Sequence, residues 1–269
     1  MDLNTVTEVR DARQRGEWRP GDAWLAGGTY LFSEPQPHLR RLVDLARMDW
    51  PPVAILADGS WEIAATCTIA ELSAFAATTG PATSGLVERC CRAFLASVKI
   101  WNTATVGGNL CLALPAGPMI SLTAALGAVC RLIATDGTRR ALPVTDLITG
   151  PARTALTEGE LLRSVTIPAR ALSARTAFRR ASQHQHGRSS ALLVGTLDGR
   201  RFSLTVTAST PRPVVLEFAA PPTAEALSTA IDGAVGGNWL DDVHGIPAWR
   251  RHLTLRLADE VLAELGAAP

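Results

Sequence analysis

Two glycine pairs are the residues of this sequence best placed to do chemistry. Ala26-Gly27-Gly28-Thr29 follows the short apolar run Trp24-Leu25, and Thr105-Val106-Gly107-Gly108-Asn109 follows a segment that reads as extended. Without a Cβ the backbone can approach a ligand closely, and consecutive N–H groups can then converge on an anion such as a pyrophosphate without any lysine. Thr29, Thr105 and Asn109 would add hydroxyl and amide hydrogen bonds. A third pair, Gly236-Gly237-Asn238, lies between two helical patterns and reads as a plain turn. No G-x-G-x-x-G follows a strand, no G-x-x-x-x-G-K-[ST] occurs and there is no G-x-S-x-G elbow, which excludes the commonest nucleotide and hydrolase signatures.

Other reactive side chains are sparse. His184 and His186 alternate within Gln183-His184-Gln185-His186-Gly187-Arg188, but no carboxylate or thiol accompanies them, so the segment reads as a solvated loop and not a metal site. Cys67, Cys90, Cys91, Cys111 and Cys130 form no C-x-x-C pair and read as small apolar residues of a reducing compartment. The chain therefore has no ligand set of its own for an iron–sulfur cluster or a structural zinc. Trp18, Trp24, Trp50, Trp61, Trp101, Trp239 and Trp249 are scattered and read as packing residues. Trp101 is the exception, because it stands just before the second glycine pair and could stack on an aromatic ring.

The elements that must position these residues follow from periodicity and punctuation. Val6, Val9 and Ala12 predict a helix over 5–15, and strands are expected at 24–26 and 41–45. Asp58-Gly59 predicts a hairpin between 53–57 and 61–65. Thr68 with Glu71 three residues on predicts a capped helix to about 78. Helical patterns follow at 85–96 and 119–126, and strands at 129–134 and 160–167. Beyond Pro168 the pattern becomes a hairpin, 190–197 and 201–207 around Asp198-Gly199, with amphipathic helices at 224–231 and 248–265. This grammar is α+β, with a boundary near 169–175.

The composition agrees with a globular protein of 269 residues: 47% apolar, 19% charged, and 26 basic against 25 acidic residues, with Lys99 the only lysine. So even a balance argues against a nucleic-acid or anionic-membrane partner, which would need a concentrated basic face. No apolar run is long enough for a membrane span, and Met1-Asp2-Leu3-Asn4-Thr5 shows no secretory pattern, so a soluble cytoplasmic protein is expected.

Taken together, these segments resemble the flavin-bearing medium subunit of the molybdenum hydroxylases, the family of xanthine and carbon monoxide dehydrogenases. The resemblance runs through Ala26-Gly27-Gly28-Thr29, Leu42-Val43-Asp44-Leu45, the block 100–110 ending Gly107-Gly108-Asn109-Leu110, the segment 161–168, Ala177-Phe178-Arg179-Arg180 and Trp249-Arg250-Arg251-His252-Leu253. It implies a two-subdomain FAD-binding fold of the vanillyl-alcohol-oxidase/PCMH type over residues 1–170 and a small C-terminal α/β domain over 171–269. It implies FAD as cofactor, with Ala26, Gly27, Gly28, Thr29, Tyr30 and Leu31 on one side and Thr105, Val106, Gly107, Gly108 and Asn109 on the other at the pyrophosphate. Leu162 would pack near the flavin and Arg179 would stand close to its ring. The expected partners are a molybdopterin-binding large subunit and a two-iron-cluster small subunit, with NAD or oxygen as electron acceptor. Pro118 stands where the family usually carries an aspartate, Trp101 where it often has an arginine, and the loop between Gly28 and Leu42 is short. A scaffold subunit that keeps the fold without the flavin is the alternative.

Overall fold

A computed structural model describes residues 3–266. Met1 and Asp2, part of the amino-terminal stretch read above for a leader, lie outside the described residues. Three strands open the chain, β1 (Glu8–Asp11), β2 (Asp22–Leu25) and β3 (Arg41–Asp44), in a parallel sheet of order β1-β3-β2. The helix expected at 5–15 is instead β1 followed by a single 3-10 turn, Ala12–Gln14. Pairing decides this: Glu8 to Asp11 lie in register with Arg41 to Asp44, and Val9, one of the three residues whose spacing suggested the helix, is 62% exposed.

The central strand carries the one buried ion pair found among the described residues of this unit. Arg41 donates from Nε to Asp22 Oδ1 (2.8 Å) and from Nη2 to the other carboxylate oxygen, with both side chains almost fully buried. The same guanidinium reaches the carbonyls of Arg15 (3.0 Å) and Glu17 (2.7 Å), so the crossover between β1 and β2 is tied to β3.

The second unit is an antiparallel sheet with helices on it. Its elements are β4 (Val53–Ile55), β5 (Trp61–Ala64), α1 (Ile69–Ala77), α2 (Pro81–Ala93), α3 (Val98–Trp101), α4 (Val106–Leu112), α5 (Pro118–Ala125), β6 (Val129–Ile133), β7 (Arg139–Pro143), α6 (Val144–Leu147), the short pair β8 (Ile148–Gly150) and β9 (Arg153–Thr154), and β10 (Leu161–Ile167). The sheet order is β4-β5-β10-β6-β7. The hairpin at Asp58-Gly59 forms as expected, with Gly59 at φ +82° and Asp58 Oδ1 accepting the Ser60 N–H. Thr68 and Glu71 make the expected capping box on α1. α5 is buried on every side, as a helix of eight uncharged residues can be. Cys67, Cys90, Cys91 and Cys130 belong to this core. Burial pushes the thiols of Cys67, Cys91 and Cys130 up to about 12, which leaves them neutral and inert.

After the one-turn helix α7 (Ala169–Leu172), an antiparallel sheet in sequence order forms from β11 (Arg175–Ala181), β12 (Ala191–Asp198), β13 (Arg201–Thr207) and β14 (Val214–Phe218), with α8 (Ala224–Val235) and α9 (Pro247–Gly266). Leu193, Leu197, Phe202, Leu204 and Val206 pack under α8 and α9 in a core of their own. The alternate residues Leu192 and Val194 join the core of the second unit. The C-terminal sheet is therefore buried on both faces, which is why β12 reads as a nearly continuous apolar run. Gly195 lets α9 lie close, since a Cβ there would sit 2.3 Å from Val261.

Two buried carboxylates make stability depend on acid. Burial pushes Asp22 up, but the Arg41 hydrogen bonds and the Arg19 N–H outweigh it and hold it below its ordinary range. Glu160 is held low by Arg140 against the effect of burial. Their contributions are fully present above the unfolded carboxylate range of about 4 and disappear as pH falls through the depressed folded values. Asp22→Ala leaves Arg41 buried without its counter-charge and is expected to destabilise the protein by about 3–5 kcal/mol at neutral pH. Denaturant midpoints between pH 7 and pH 3 check both points, and the variant's curve is expected to be the flatter one.

Candidate functional site

The first glycine pair lies on the seam between the first and second units, against the backbone that leads into the second pair. A Cβ on Gly27 would fall 1.8 Å from the Thr103 carbonyl oxygen and 3.3 Å from Ala104 Cα. The loop after β2 thus lies flat on the backbone just ahead of Thr105, and only glycine permits it. Trp24 secures the same seam by donating its indole N–H to the Gly159 carbonyl (3.1 Å).

The two loops differ in what their amides do. In the first, Gly28 O accepts the Phe32 N–H (2.8 Å) and Tyr30 O accepts the Ser33 N–H (2.9 Å), closing a compact turn with Gly28 at φ +68°. The N–H groups of Gly27, Gly28, Thr29, Tyr30 and Leu31 find no acceptor among the described residues. The loop thus presents a half-exposed run of five N–H donors that the protein itself does not use.

The segment ahead of the second pair, expected to be extended, contains the one-turn helix α3 (Val98–Trp101), and the pair itself is helical. It forms the first turn of α4, capped by Thr105, whose Oγ1 accepts the Gly108 N–H (3.0 Å). The N–H groups of Val106, Gly107 and Asn109 go to Cys67 O, Ala65 O and Thr105 O, at 2.8, 2.9 and 3.0 Å. All four amides from Val106 to Asn109 are spent inside the protein, so the expected second cradle of backbone donors is absent. Gly107 is required for another reason: a Cβ would lie 2.5 Å from Ala65 Cβ and 2.6 Å from its carbonyl oxygen. Asn109 turns its Oδ1 to the Met119 N–H (3.1 Å) and so holds the start of α5, where Pro118 is buried. The Asn109 Nδ2 has no acceptor among the described residues, which leaves a side-chain donor beside the loop.

The remaining expected residues do not join this seam. Leu162 is a buried core residue of β10, opposite Leu132 of β6. Arg179 is engaged by α9, with Nε on Glu260 (2.9 Å) and Nη1 on Glu264 (2.7 Å). Burial alone would lower the Arg179 pKa, but the two carboxylates raise it, so its charge is neutralised locally. The next residue, Arg180, to which the sequence assigned no role, has the opposite disposition. Along β11 Ala177 and Arg179 share the face under α9, whereas Phe178 and Arg180 share the other. Phe178 packs against the core of the second unit, and Arg180 donates to Ser189 Oγ (2.7 Å) and to Gly187 O. Burial lowers the Arg180 pKa, and no carboxylate lies within ion-pair distance among the described residues. Strand parity would have separated the two arginines once β11 was drawn. The Arg180 bonds fix the loop that carries His186, which, with Trp101, Arg92, Glu88, Ser73 and Leu95, lines a cleft of about 530 Å³. Trp101 thus faces open space between units, on the segment that leads into Thr103.

The family model described as the FAD binding domain in molybdopterin dehydrogenase matches residues 3–170. No curated protein matches the chain. Among solved structures, the reconstituted CO dehydrogenase from Oligotropha carboxidovorans is similar at 20% identity and a TM-score of 0.82, covering 98% of each chain. Quinoline 2-oxidoreductase from Pseudomonas putida 86 is similar at 20% identity and a TM-score of 0.75, covering 96% of each chain. The carbon monoxide dehydrogenase from Hydrogenophaga pseudoflava is similar at 18% identity and a TM-score of 0.78, again covering 96% of each. At these identities the likeness is one of fold, and the fold is that of an FAD-binding α+β protein.

The glycine contacts separate three roles by mutation. Gly107→Ala collides with the Ala65 backbone and is expected to cost about 1–3 kcal/mol or more, with or without ligand. Gly108→Ala meets only Thr105 Oγ1 at 3.0 Å and is expected to leave stability within about 1 kcal/mol. Gly27→Ala forces the first loop off Thr103 and is expected to weaken anion binding at the seam more than it lowers the melting temperature. Thermal melts and ligand titrations of the three purified variants provide the comparison.

Proposed function

The chain belongs to the family of FAD-binding domains of molybdopterin dehydrogenases, and from that premise we propose that it is the FAD-carrying electron-transfer subunit of a molybdenum hydroxylase. The observation that carries the reading is the run of unspent amides from Gly27 to Leu31, lying on the Thr103 backbone. These donors fit a pyrophosphate, and their partial positive charges suit it without a lysine. By the family resemblance Ala26, Thr105, Val106 and Asn109 would complete the site, and of these Asn109 keeps an Nδ2 without an acceptor among the described residues.

Bound FAD would supply the change from one-electron to two-electron chemistry, and the chain's residues hold and surround it. None of the residues on the seam is a titratable acid–base pair, so substrate chemistry belongs elsewhere. Trp101 offers an aromatic face and Arg180 an unneutralised cation on the side of the C-terminal unit that meets the second unit. A cation there favours negative charge accumulating nearby on reduction, because partial burial strengthens the attraction. The partners that fit this role are a molybdopterin-binding large subunit and a two-iron-cluster small subunit, with NAD or oxygen as final acceptor. With its thiols buried and neutral or without companions, this chain contributes no cluster ligands. Among the described residues no helix is long and apolar enough to cross a membrane.

A second reading, a scaffold of the same fold without flavin, is favoured by one observation: the second loop spends its amides internally and continues into Pro118, which offers neither carboxylate nor N–H. The visible spectrum of the purified chain, before and after incubation with FAD, decides between them. Flavin bands, with about one FAD per chain released on heating, are expected. A ligand at 100 times its Kd should also add about 2.7 kcal/mol of stability. A folded protein that stays colourless and whose melt does not move with FAD is the scaffold.

A further inference from the structure

Resting on the FAD reading, the geometry points to Arg250 of α9 as a positioning residue for the cofactor seam, acting across the unit boundary through one strained alanine. Arg250 is 1% exposed and nearly saturated. Its Nε donates to Gly245 O (2.9 Å), its Nη1 to both Ser190 O and Ala208 O (2.7 Å each), and its Nη2 to the Asp242 carboxylate. Ser190 and Ala208 stand at the neighbouring ends of β12 and β13, so one guanidinium clamps the edge of the C-terminal sheet that meets the second unit.

Ala208 is held at φ +66°, and its N–H crosses to the Pro115 carbonyl (2.8 Å). Pro115 belongs to the loop between α4 and α5, whose far end is capped by Asn109 through Met119. The same loop contains Ala113 at φ +50°, and its carbonyl accepts the N–H of Ala152, itself at φ +52° (3.0 Å). Three alanines in the left-handed region therefore converge on one loop. Such residues persist only where their surroundings over-determine them. Next to Ala208, Thr207 Oγ1 and Ser121 Oγ lie 2.6 Å apart in the buried boundary, which pins α5 from the same direction.

The consequence is that Asn109, which the FAD reading assigns to the cofactor site, takes its position from the C-terminal unit. A purely structural role for Arg250 predicts that its loss loosens α9 and the C-terminal sheet alone. Positioning predicts that the change appears at 109–119 and in the affinity for FAD.

The test uses the full chain with Arg250→Lys, which keeps the charge but cannot hold three carbonyls and a carboxylate. Arg251→Lys, which alters only the exposed pair with Asp232 of α8, is the control. Hydrogen exchange is measured without FAD over 109–121 and over 61–76, and FAD affinity is measured by flavin fluorescence well below the melting temperature. The expected result is faster exchange over 109–121 only within the second unit, with the FAD Kd raised at least tenfold in R250K and unchanged in R251K. Wild-type exchange over 109–121 in folded R250K overturns the inference, as does faster exchange with an unchanged Kd. If R250K does not fold, Asp242→Asn, which leaves the guanidinium in place but removes its charged partner, is read by the same two measurements. A wild-type chain that binds no FAD refutes the reading of the preceding subsection, and the exchange over 109–121 still decides whether Arg250 positions this loop.

Discussion

The structure depends on two close approaches of backbone to backbone along the segment from Thr103 to Gly108. On one side Gly27 lies against the Thr103 carbonyl, and on the other Gly107 lies against Ala65, with no space for a methyl group at either contact. The first contact joins the small parallel sheet to the helical unit. The second sets α4 against the end of β5, where the Val106 and Gly107 amides complete the contact with Cys67 O and Ala65 O. Packing of side chains alone could not fix the seam so closely, because long side chains tolerate shifts that abutting backbones do not. The candidate site follows from this: the first loop's amides stay unspent since the loop is held by carbonyl contacts and glycine geometry, and not through its own donors.

The C-terminal unit is part of the same construction. Its sheet is apolar on both faces, one under α8 and α9 and one against α5. The boundary on the second face is not purely apolar. Ser121, Thr207 and the Ala208 to Pro115 hydrogen bond place polar contacts in it, and buried polar contacts are satisfied in only one docking geometry. Oily surface supplies the attraction and these few bonds supply the register.

Much of this was legible in the sequence, and the misses have physical causes. Asp58-Gly59, Asp198-Gly199 and the Thr68–Glu71 box are local signals whose geometry is set within four residues, and each formed as read. Residues 5–15 failed because Val6, Val9 and Ala12 suit a helix locally, whereas their parallel pairing with Arg41–Asp44 is a long-range fact no spacing displays. Gly107 stood out in the sequence, but the contact with Ala65 that demands a glycine there was not legible, because Ala65 is distant in the chain. Arg179 and Arg180 are chemically identical in sequence, and only strand parity assigns one to Glu260 and Glu264 and the other to the boundary.

The donors proposed at the seam would hold an anion without any basic side chain. An anion held by lysines is held by charges on flexible stems, which salt screens and which pay entropy when ordered. An anion held by the amides of Gly27 to Leu31 is held by dipoles already fixed by the turn, so little order remains to be imposed on binding. A protein built in the second way needs no basic patch, which agrees with 26 basic against 25 acidic residues and a single lysine. It needs rigidity instead, and the glycine contacts, the buried Arg41–Asp22 pair and the Arg250 clamp each supply that from a different unit of the chain.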